Sequence, residues 1–320
     1  MMNRFLLLLS IILVIGSCKK DDGTDPVIVP PRSMAEVAAE DDAEIRAYLE
    51  THFYNYEDFD TPPAGFDFKI IIDTIAGANA DKTPLIDQVQ TMVLEASSSD
   101  FGLDDGEEDV PHTFYYLDAR TGVGEFPTVA DSTFVRYNGM LLNGTLFDSA
   151  ATNGVWWDLP GDFTPANPGL LNGVVSGMVN FRAGGNIVDN GDGTFSVEDF
   201  GAGLIIIPSG LGYFLNSRSG IPSYSPLIFE VNLLVQNQAD HDRDGIPSIL
   251  EDIDGDGNVK NDNTDEDFET LFIPNYVDID DDQDGTLTRD EISDENGNII
   301  IPYPDTDGDG TPDYLDRDNS

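Results

Sequence analysis

The chain has 320 residues, enough for one or two sizeable cores, and its composition is strongly acidic. It contains 61 Asp and Glu residues against 15 Lys and Arg, which gives a formal net charge of −46. This charge argues against nucleic-acid binding, because phosphate contacts need Lys and Arg, and it is compatible with solubility or cation binding. Cys18 is the single cysteine, so the chain offers neither a disulfide framework nor a thiolate metal site.

The negative charge is unevenly distributed along the chain. Residues 240–320 hold 27 of the 61 acidic residues and only four basic ones. A quarter of the chain therefore carries half of the net charge. This asymmetry predicts a separate C-terminal module over residues 237–320.

The first residues are typical of a secretory signal. Residues 1–17 place Arg4 before an apolar run that is too short to span a bilayer comfortably. The run ends in Ile-Gly-Ser-Cys, which resembles a bacterial lipobox and implies that Cys18 is lipidated and becomes the mature N-terminus. We expect a bacterial outer-membrane lipoprotein, exposed at the cell surface or facing the periplasm, with a Pro-rich tether over residues 18–32.

Residues 33–111 are predicted to form an N-terminal extension of one helix and several strands. Ser33 with Glu36 fits a capping box, and the following apolar spacing places Ile45 and Leu49 on one helical face. Alternation over 66–72 and a second apolar segment over 85–94 both predict strands. An acidic loop over 97–109 follows in the extension, and a further strand is predicted over 113–117, at the start of the next domain.

The stretch 135–150, VRYNGMLLNGTLFDSA, predicts a β-hairpin. Asn143 and Gly144 are expected at the turn, because both central positions of a two-residue hairpin turn need positive φ. The second strand then delivers Asp148 directly beside the aromatic Phe147. A carboxylate next to an aromatic ring at a strand end can face an apolar pocket.

This string resembles the FKBP signature V-x-Y-x-G-x-L-x-x-G-x-x-F-D-S, and every specified position matches. Three further motifs follow in order: LLNGVVSGMVNFRAG at 170–184, LIIIPSGLGY at 204–213 and IPSYSPLIFEVNLL at 221–234. Together they make residues 112–236 similar to the FKBP family of peptidyl-prolyl cis-trans isomerases. The resemblance implies an α+β fold in which an antiparallel half-barrel sheet wraps on one short helix.

The resemblance also implies a pocket for proline-containing polypeptide clients, with no cofactor for catalysis. Isomerisation crosses a barrier of roughly 18–20 kcal/mol from amide resonance, and an apolar cavity favours the twisted amide, which has lost that resonance. In the family, the groups at the positions of the Tyr213 hydroxyl and the Ile221 N–H bond a ligand carbonyl. The alternative for any single aromatic residue is that it only packs in the core, which is the more common case. The implied catalytic residues are Tyr137, Phe147, Asp148, Tyr213, Ile221 and Phe229, and the implied pocket residues are Leu170, Leu171 and Val174.

Several positions depart from the family pattern. Val174 stands where the family has a tryptophan floor, which widens the predicted pocket. Gly212 and Phe214 replace the family's alanine and glycine, and residues 186–203 are an insertion expected beside the pocket rim. Two candidates stand near the family's second pocket aromatic, Trp156 and Trp157.

Four loops of the acidic module place three aspartates at alternate positions before a glycine. Alternate carboxylates converge on one hard cation, the glycine permits the sharp turn, and position twelve supplies a further carboxylate, except that loop 2 has Asn263 there. The predicted Ca²⁺ ligands are Asp240, Asp242, Asp244 and Glu251 in loop 1 (240–251), Asp252, Asp254 and Asp256 in loop 2 (252–263), Asp280, Asp282, Asp284 and Glu291 in loop 3 (280–291), and Asp305, Asp307, Asp309 and Asp316 in loop 4 (305–316).

In loops 1 and 4, a proline stands two positions after the glycine and prevents a regular helix from following. The module therefore resembles thrombospondin type 3-like calcium repeats more than paired EF-hands, although a merely solvating acidic tail is the alternative. The leading hypothesis is a lipid-anchored prolyl isomerase, a foldase for exported or surface proteins, with a calcium-dependent appendage. The alternatives are a non-catalytic binding or chaperone module on an FKBP scaffold, and a surface structural protein whose calcium repeats are the functional part.

Overall fold

The computed structural model describes residues 30–192, 194–265 and 272–318. The chain divides into two compact units, residues 1–31 and 32–320, and the description below concerns the second. The predicted signal segment and Cys18 lie outside the described residues. Among the helices of the described residues, none combines the length and apolar character needed to cross a bilayer.

The described part of the second unit contains four α-helices and eleven strands. The helices are α1 Met34–Thr51, α2 Tyr56–Asp60, α3 Asn172–Met178 and α4 Thr288–Glu291. The strands are β1 His52–Tyr54, β2 Ile72–Thr74, β3 Gln90–Ala96, β4 Val110–Arg120, β5 Ser132–Leu141, β6 Leu146–Ser149, β7 Val155–Asp158, β8 Ile187–Asp189, β9 Phe195–Val197, β10 Gly201–Ile207 and β11 Leu227–Asn237.

Seven strands form one antiparallel sheet in the order β3-β4-β10-β11-β5-β6, with β7 also paired to β5. Central strand β10 is buried along its whole length, because both faces of the sheet are covered. Ile205 and Ile207 pack with Val174 of α3 on one face, whereas Leu204 and Ile206 pack under α1 on the other. The predicted fold class, an antiparallel sheet wrapped on a short helix beside a loop-rich C-terminal part, is confirmed.

The predicted N-terminal extension is an integral part of this sheet. Strand β3 pairs with β4 along its whole length, and helix α1 buries Ile45 and Leu49 against the sheet as the spacing predicted. The strand predicted over 66–72 is wrong in its bounds, since only β2 is extended and it pairs with β1. The strand predicted over 85–94 begins with a 3-10 turn at Leu85–Asp87 before β3.

The first turn of α1 is capped differently from the predicted capping box. Ser33 accepts a hydrogen bond from the Glu36 N–H at 3.3 Å, as expected for an N-cap residue. Its hydroxyl donates to Glu107 at 2.6 Å, and Glu107 also accepts from the backbone N–H of Met34. The acidic loop 97–109 therefore supplies the carboxylate that the capping box would have taken from Glu36.

The signature hairpin has a three-residue turn. Gly144 has φ +80°, and its N–H donates to the Leu141 carbonyl at 2.9 Å, while the Leu141 N–H donates to the Thr145 carbonyl at 3.0 Å. Asn143 does not have positive φ, so the predicted two-residue turn with two left-handed residues is wrong. A single left-handed glycine is sufficient for this longer turn.

The C-terminal loops pack directly against the sheet. The Ala239 N–H and the Gln236 side chain donate to Asp131 at 3.3 and 2.9 Å, and the Lys260 ammonium donates to the Pro168 carbonyl at 3.1 Å. Two small apolar clusters hold the loops, Ala130 with Val259 and Tyr276, and Ile246 with Ile292 and Tyr314. The acidic module is thus part of the same compact unit as the sheet.

Candidate functional site

An open cleft of about 510 Å³ lies between α3, the β5–β6 hairpin and the loop that follows β10. It brings together all but one of the residues predicted to form the proline pocket, and Ile221 is the exception. Trp157, Phe101, Asp100, Asn216 and Arg218 also line it. The predicted members that line the cleft are Tyr137, Phe147, Asp148, Leu170, Leu171, Val174, Tyr213 and Phe229.

A short hydrogen bond joins two predicted residues at the mouth of the cleft. The Tyr137 hydroxyl donates to Asp148 Oδ2 at 2.6 Å. Antiparallel pairing of β5 with β6 sets Gly139 opposite Asp148, which holds the two side chains on neighbouring strands. Burial, reinforced by the bond to Asp148, raises the pKa of Tyr137 above its usual value. The hydroxyl is therefore protonated and acts as a donor.

The aromatic walls of the cleft depend on a glycine of the signature. The rings of Phe147 and Phe229 meet edge to face with centroids 5.8 Å apart. A Cβ at Gly139 would lie 2.5 Å from the Phe147 ring. Gly139 of the signature thus leaves room for the Phe147 ring. The sequence pattern alone does not reveal this role of the glycine.

The structure distinguishes the two candidate tryptophans. Trp157 is 8% exposed, lines the cleft, and contacts the Tyr137 ring with centroids 4.7 Å apart. Trp156 is 53% exposed and packs on Phe134 outside the cleft. Strand β7 sends adjacent side chains to opposite faces, so only Trp157 reaches the cleft.

The floor and one wall carry the residues that depart from the family pattern. Val174 is buried at the floor on α3. Phe214 is fully buried between Phe101 and Tyr224, with a left-handed φ of +45°. This conformation accounts for the glycine usual at that position, and the packing of Phe214 compensates the strain. The loop that contains Phe101 was not predicted to reach the pocket, since nothing local in its sequence indicates that contact.

The backbone N–H of Ile221 already has a partner. It donates to the Arg218 carbonyl at 2.9 Å, and the Arg218 N–H donates back to the Ile221 carbonyl at 2.9 Å. A bond from this N–H to a ligand carbonyl would require the bridge to open, so the role predicted for Ile221 stays a prediction. The Arg218 guanidinium lies 5.2 Å from the centre of the Tyr213 ring and is the cation on the cleft lining.

The insertion at 186–203 lies elsewhere than predicted. Its β8–β9 hairpin packs Phe195 on Phe134, with ring centroids 5.7 Å apart. The residues that line the cleft include none from the described part of this segment. The predicted placement at the pocket rim is therefore wrong, because the hairpin packs on Phe134, near the start of β5.

All four acidic loops share one backbone conformation. Their sixth residue is a glycine with positive φ, +106° at Gly245 and +102° at Gly285. Their fourth residue is also left-handed, at Arg243 with φ +69° in loop 1 and Gln283 with φ +53° in loop 3. As expected from the prolines, loops 1 and 4 each end in a 3-10 turn rather than an α-helix, at Ser248–Glu251 and Asp313–Leu315. The repeated conformation brings the alternate carboxylates of each loop together.

Five groups of carboxylates place oxygen atoms within 4.8 Å of one another. Four are the predicted aspartate triads of loops 1 to 4, and the fifth contains Asp242, Glu251 and Asp281. Glu251 thus lies close to Asp242 of its own loop, whereas none of these groups contains Glu291 or Asp316. In loop 2, Asp262 accepts from the Ile253 and Asp254 N–H groups at 3.0 and 3.3 Å, one position before Asn263.

Burial and mutual repulsion disfavour the charged forms of these carboxyls. Burial first, then neighbouring carboxylates, raises the pKa of Asp242 to about 8, that of Glu251 to about 11 and that of Glu291 to about 8. Buried oxygens of Asp240, Asp242, Asp244, Glu251 and Asp280 lack a hydrogen-bond partner among the described residues. Oxygen-only, anionic donor sets of this kind suit Ca²⁺.

The chain is 30% identical over 119 residues to the FKBP-type peptidyl-prolyl cis-trans isomerase FkpA of Escherichia coli strain K12, which is 37% of this chain and 36% of the relative. The FkpA proteins of E. coli O6:H1 and O157:H7 match equally. The chain shares homology with FKBP-type isomerases over this stretch and spans about a third of the length of these relatives.

Solved structures and one family model also match. The crystal structure of E. coli FkpA aligns with a TM-score of 0.33 and 22% identity, over 63% of this chain and 62% of that one. An isomerase structure from Pseudomonas syringae pv. tomato aligns with a TM-score of 0.30 and 22% identity, over 46% of this chain and 81% of that one. Residues 241–304 match the family described as BamM C-terminal.

Proposed function

We propose that the chain is an FKBP-type peptidyl-prolyl cis-trans isomerase that acts as a foldase on exported or surface proteins. The observation that carries the proposal is the hydrogen bond from Tyr137 to Asp148 at the mouth of an aromatic cleft. Homology with FKBP-type isomerases supports it. The substrate class is a proline-containing polypeptide with its prolyl ring in the cleft.

Isomerisation at this cleft needs no nucleophile. The prolyl ring enters between Phe147, Trp157 and Phe229 and rests on Val174. Planar amides owe their barrier to resonance, and the twisted amide loses charge separation, so apolar walls favour the twisted form. The Tyr213 hydroxyl binds a substrate carbonyl and restricts the peptide to orientations that can rotate. Asp148 is fixed by Tyr137 and faces the rotating bond.

Cis/trans exchange on a proline peptide tests the proposal, with the full chain purified in detergent. We expect acceleration above the uncatalysed rate, and a loss of about tenfold or more in Asp148→Ala, because misplaced groups in an orienting site are costly. Asp189→Ala is the matched control, since Asp189 is an exposed carboxylate on β8 outside the cleft. A folded wild-type protein that gives no acceleration would overturn the enzyme assignment.

A non-catalytic binding or chaperone module on the same scaffold is the second candidate. Two features favour it: the Ile221 N–H is already bonded to Arg218, and the cleft has Val174 where the family pattern has a tryptophan. Suppression of aggregation of an unfolded client separates the two functions. A binder keeps this activity in Asp148→Ala, whereas an isomerase loses turnover in that variant.

We also propose that a lipid on Cys18 anchors the protein in the outer membrane, on the cell surface or facing the periplasm. The lipobox resemblance of residues 15–18 supports this anchor. Cys18→Ser is expected to move the protein from the membrane fraction to the soluble one. Protease added to intact cells distinguishes the two locations, because it reaches only a protein on the cell surface. A surface location is also what the alternative function, a calcium-dependent structural protein, requires.

Finally, we propose that the four acidic loops bind Ca²⁺. Their shared backbone, their convergent carboxylates and the buried oxygens that have no partner in the described part of the chain support this assignment. The residues that would hold the ions are the predicted loop carboxylates, with Asp262 assisting in loop 2. The ions neutralise repulsion between acidic side chains and order a segment that has little apolar core.

A further inference from the structure

We propose that Asp281 of loop 3 completes the cation site of loop 1, so that one Ca²⁺ ion is held jointly by both loops. The inference rests on the proposed calcium binding and adds a ligand that the loop pattern does not contain. In the sequence, Asp281 lies between Asp280 and Asp282, whose carboxylates belong to the separate cluster of loop 3.

The carboxylate of Asp281 lies close to the carboxylates of loop 1. Carboxylate oxygens of Asp242, Glu251 and Asp281 all lie within 4.8 Å of one another, and Asp242 shares a second such group with Asp240 and Asp244. Ca²⁺ binds oxygen at about 2.3–2.6 Å, so two ligands on opposite sides of one ion lie about 5 Å apart. The five carboxylates of the two groups therefore fit around one ion or two adjoining ions.

Burial carries the second step. Glu251 is 0% exposed and Asp281 is 1% exposed, and neither carboxylate has a hydrogen-bond partner on either oxygen in the described part of the chain. Unpaired buried carboxylates are strongly unfavourable, because they lose hydration without compensation. A bound cation supplies the missing partner for both side chains at once.

The neighbouring protein cations do not fill this role. Arg289 donates to the backbone carbonyls of Asp244 and Gly297 at 3.3 and 3.0 Å. His241, which lies in loop 1, contacts Ser248 and Asp158. Among the described residues, the ion pairs to carboxylates include neither Glu251 nor Asp281.

Backbone geometry explains why Asp281 turns to loop 1. The carboxylates of Asp280 and Asp282 converge on the loop 3 cluster, so the intervening side chain points to the other side. The Asp281 N–H donates to the fully buried Thr288 hydroxyl at 3.1 Å, which fixes the residue in place. The second residue of the other loops is His241, Ile253 or Thr306, and only loop 3 has a carboxylate there.

A shared ion makes the two loops interdependent. Glu251 and Asp281 are then joined through the ion, so calcium couples the ordering of loop 1 to that of loop 3. Loss of one ligand should weaken binding at loop 1 even though Asp281 lies in loop 3. This cross-effect distinguishes a shared site from four independent ones.

Calorimetric titration of the calcium-stripped full chain with Ca²⁺, in detergent, tests the inference. We expect Asp281→Asn to weaken one class of sites at least about tenfold, because affinity follows the number of charged ligands. Glu251→Gln should weaken the same class, and the two changes together should be less than multiplicative. Asp290→Asn, an exposed acidic residue two positions after Thr288, should leave the isotherm unchanged.

Thermal unfolding supplies a second readout that does not depend on the titration. Asp281→Asn removes a buried like charge, so its melting temperature should exceed that of wild type in chelator and fall below it in excess Ca²⁺. Wild-type affinity in Asp281→Asn, while Glu251→Gln loses a site, would overturn the shared ion and leave the calcium module intact. An equal effect of Asp290→Asn would also overturn it. No Ca²⁺ uptake by wild type would overturn both proposals.

Discussion

His241 Nε2 lies 3.0 Å from Asp158 Oδ1, and this contact joins the first acidic loop to the wall of the cleft. His241 stands between two carboxylates of loop 1, Asp240 and Asp242. Asp158 directly follows Trp157, which lines the cleft and contacts Tyr137. A change in the conformation of loop 1 therefore has a short covalent and hydrogen-bonded route to the proline site.

We expect removal of calcium to change the environment of Trp157. Trp156→Phe leaves Trp157 as the single tryptophan, and a chelator should then shift its fluorescence to longer wavelength as the loop loosens. In the same background, His241→Phe loses the contact with Asp158 and should reduce the shift. An unchanged spectrum in chelator, from a chain shown to release Ca²⁺, would contradict this coupling.

Tyr137→Phe should reduce isomerase activity without unfolding the protein. The hydroxyl bond to Asp148 is lost, so the carboxylate is no longer fixed at the cleft mouth. Exchange rates of Tyr137→Phe, Asp148→Ala and the double variant measure the effect. Because both residues act as one unit, the double variant should lose little more than the worse single one. Fully multiplicative losses would show that the two residues act separately.

Gly139→Ala should destabilise the fold and disturb the cleft together. The added Cβ lies 2.5 Å from the Phe147 ring, so we expect a loss of about 1–3 kcal/mol in the free energy of unfolding and weaker peptide binding. Gly212→Ala is the control on the same cleft, since its Cβ would meet neighbours at 3.4 Å or more and its φ is −125°. Denaturant unfolding should place that control within about 0.5 kcal/mol of wild type.

Asp41 should make the fold less stable as the pH rises. Burial chiefly raises its pKa from 3.8 to about 6, against hydrogen bonds donated by the Ser209 N–H and hydroxyl at 2.7 and 2.6 Å. Because this pKa is higher in the folded chain than in the unfolded one, Asp41 stabilises the fold fully below about pH 3.8. This contribution is lost as the pH rises through about 6. The two-unit shift corresponds to about 3 kcal/mol at most.

The difference in unfolding free energy between wild type and Asp41→Asn measures this contribution. It should fall by up to about 3 kcal/mol between pH 4 and pH 7. Glu50→Gln, at an exposed acidic position on the same helix, is the matched control. A flat difference for Asp41→Asn would show that Asp41 titrates alike in the folded and unfolded chains.

Calcium removal should loosen the acidic loops before the sheet. Hydrogen exchange in chelator is expected to accelerate across residues 240–318, because like charges there lose their counter-ions and the apolar clusters are small. Strand β10, which is fully buried, should keep its protection. Uniform acceleration across both regions would mean that the module and the sheet open as one cooperative unit.

The sequence predicts best where local pattern and spacing determine the geometry. The signature hairpin placed Tyr137 and Asp148 together, and the loop spacing located the four triads of aspartates. Alternation and turn chemistry act over a few residues, so such features are visible in the chain itself. The number of residues in the hairpin turn was still wrong, because a longer turn also accepts Gly144.

Long-range contacts account for what the sequence did not predict. Asp281 lies in loop 3 yet joins Asp242 and Glu251 of loop 1, which no spacing rule encodes. Glu107 caps a helix that begins 73 positions earlier, at Met34. Phe101 reaches the cleft wall through tertiary packing on Phe214. Each contact depends on the finished fold rather than on the surrounding residues.

The bonds between Asp41 and Ser209 span 168 positions of the chain, and β3 at the edge of the sheet is far in sequence from the strands at its centre. The sheet is therefore incomplete until β11 has been made, because β11 lies between β10 and β5. A chain of this topology cannot fold vectorially from its N-terminus, since its non-local pairings must wait for their partners. Until β11 has been made, the protein that we propose as a foldase is itself an unfolded polypeptide with exposed strands.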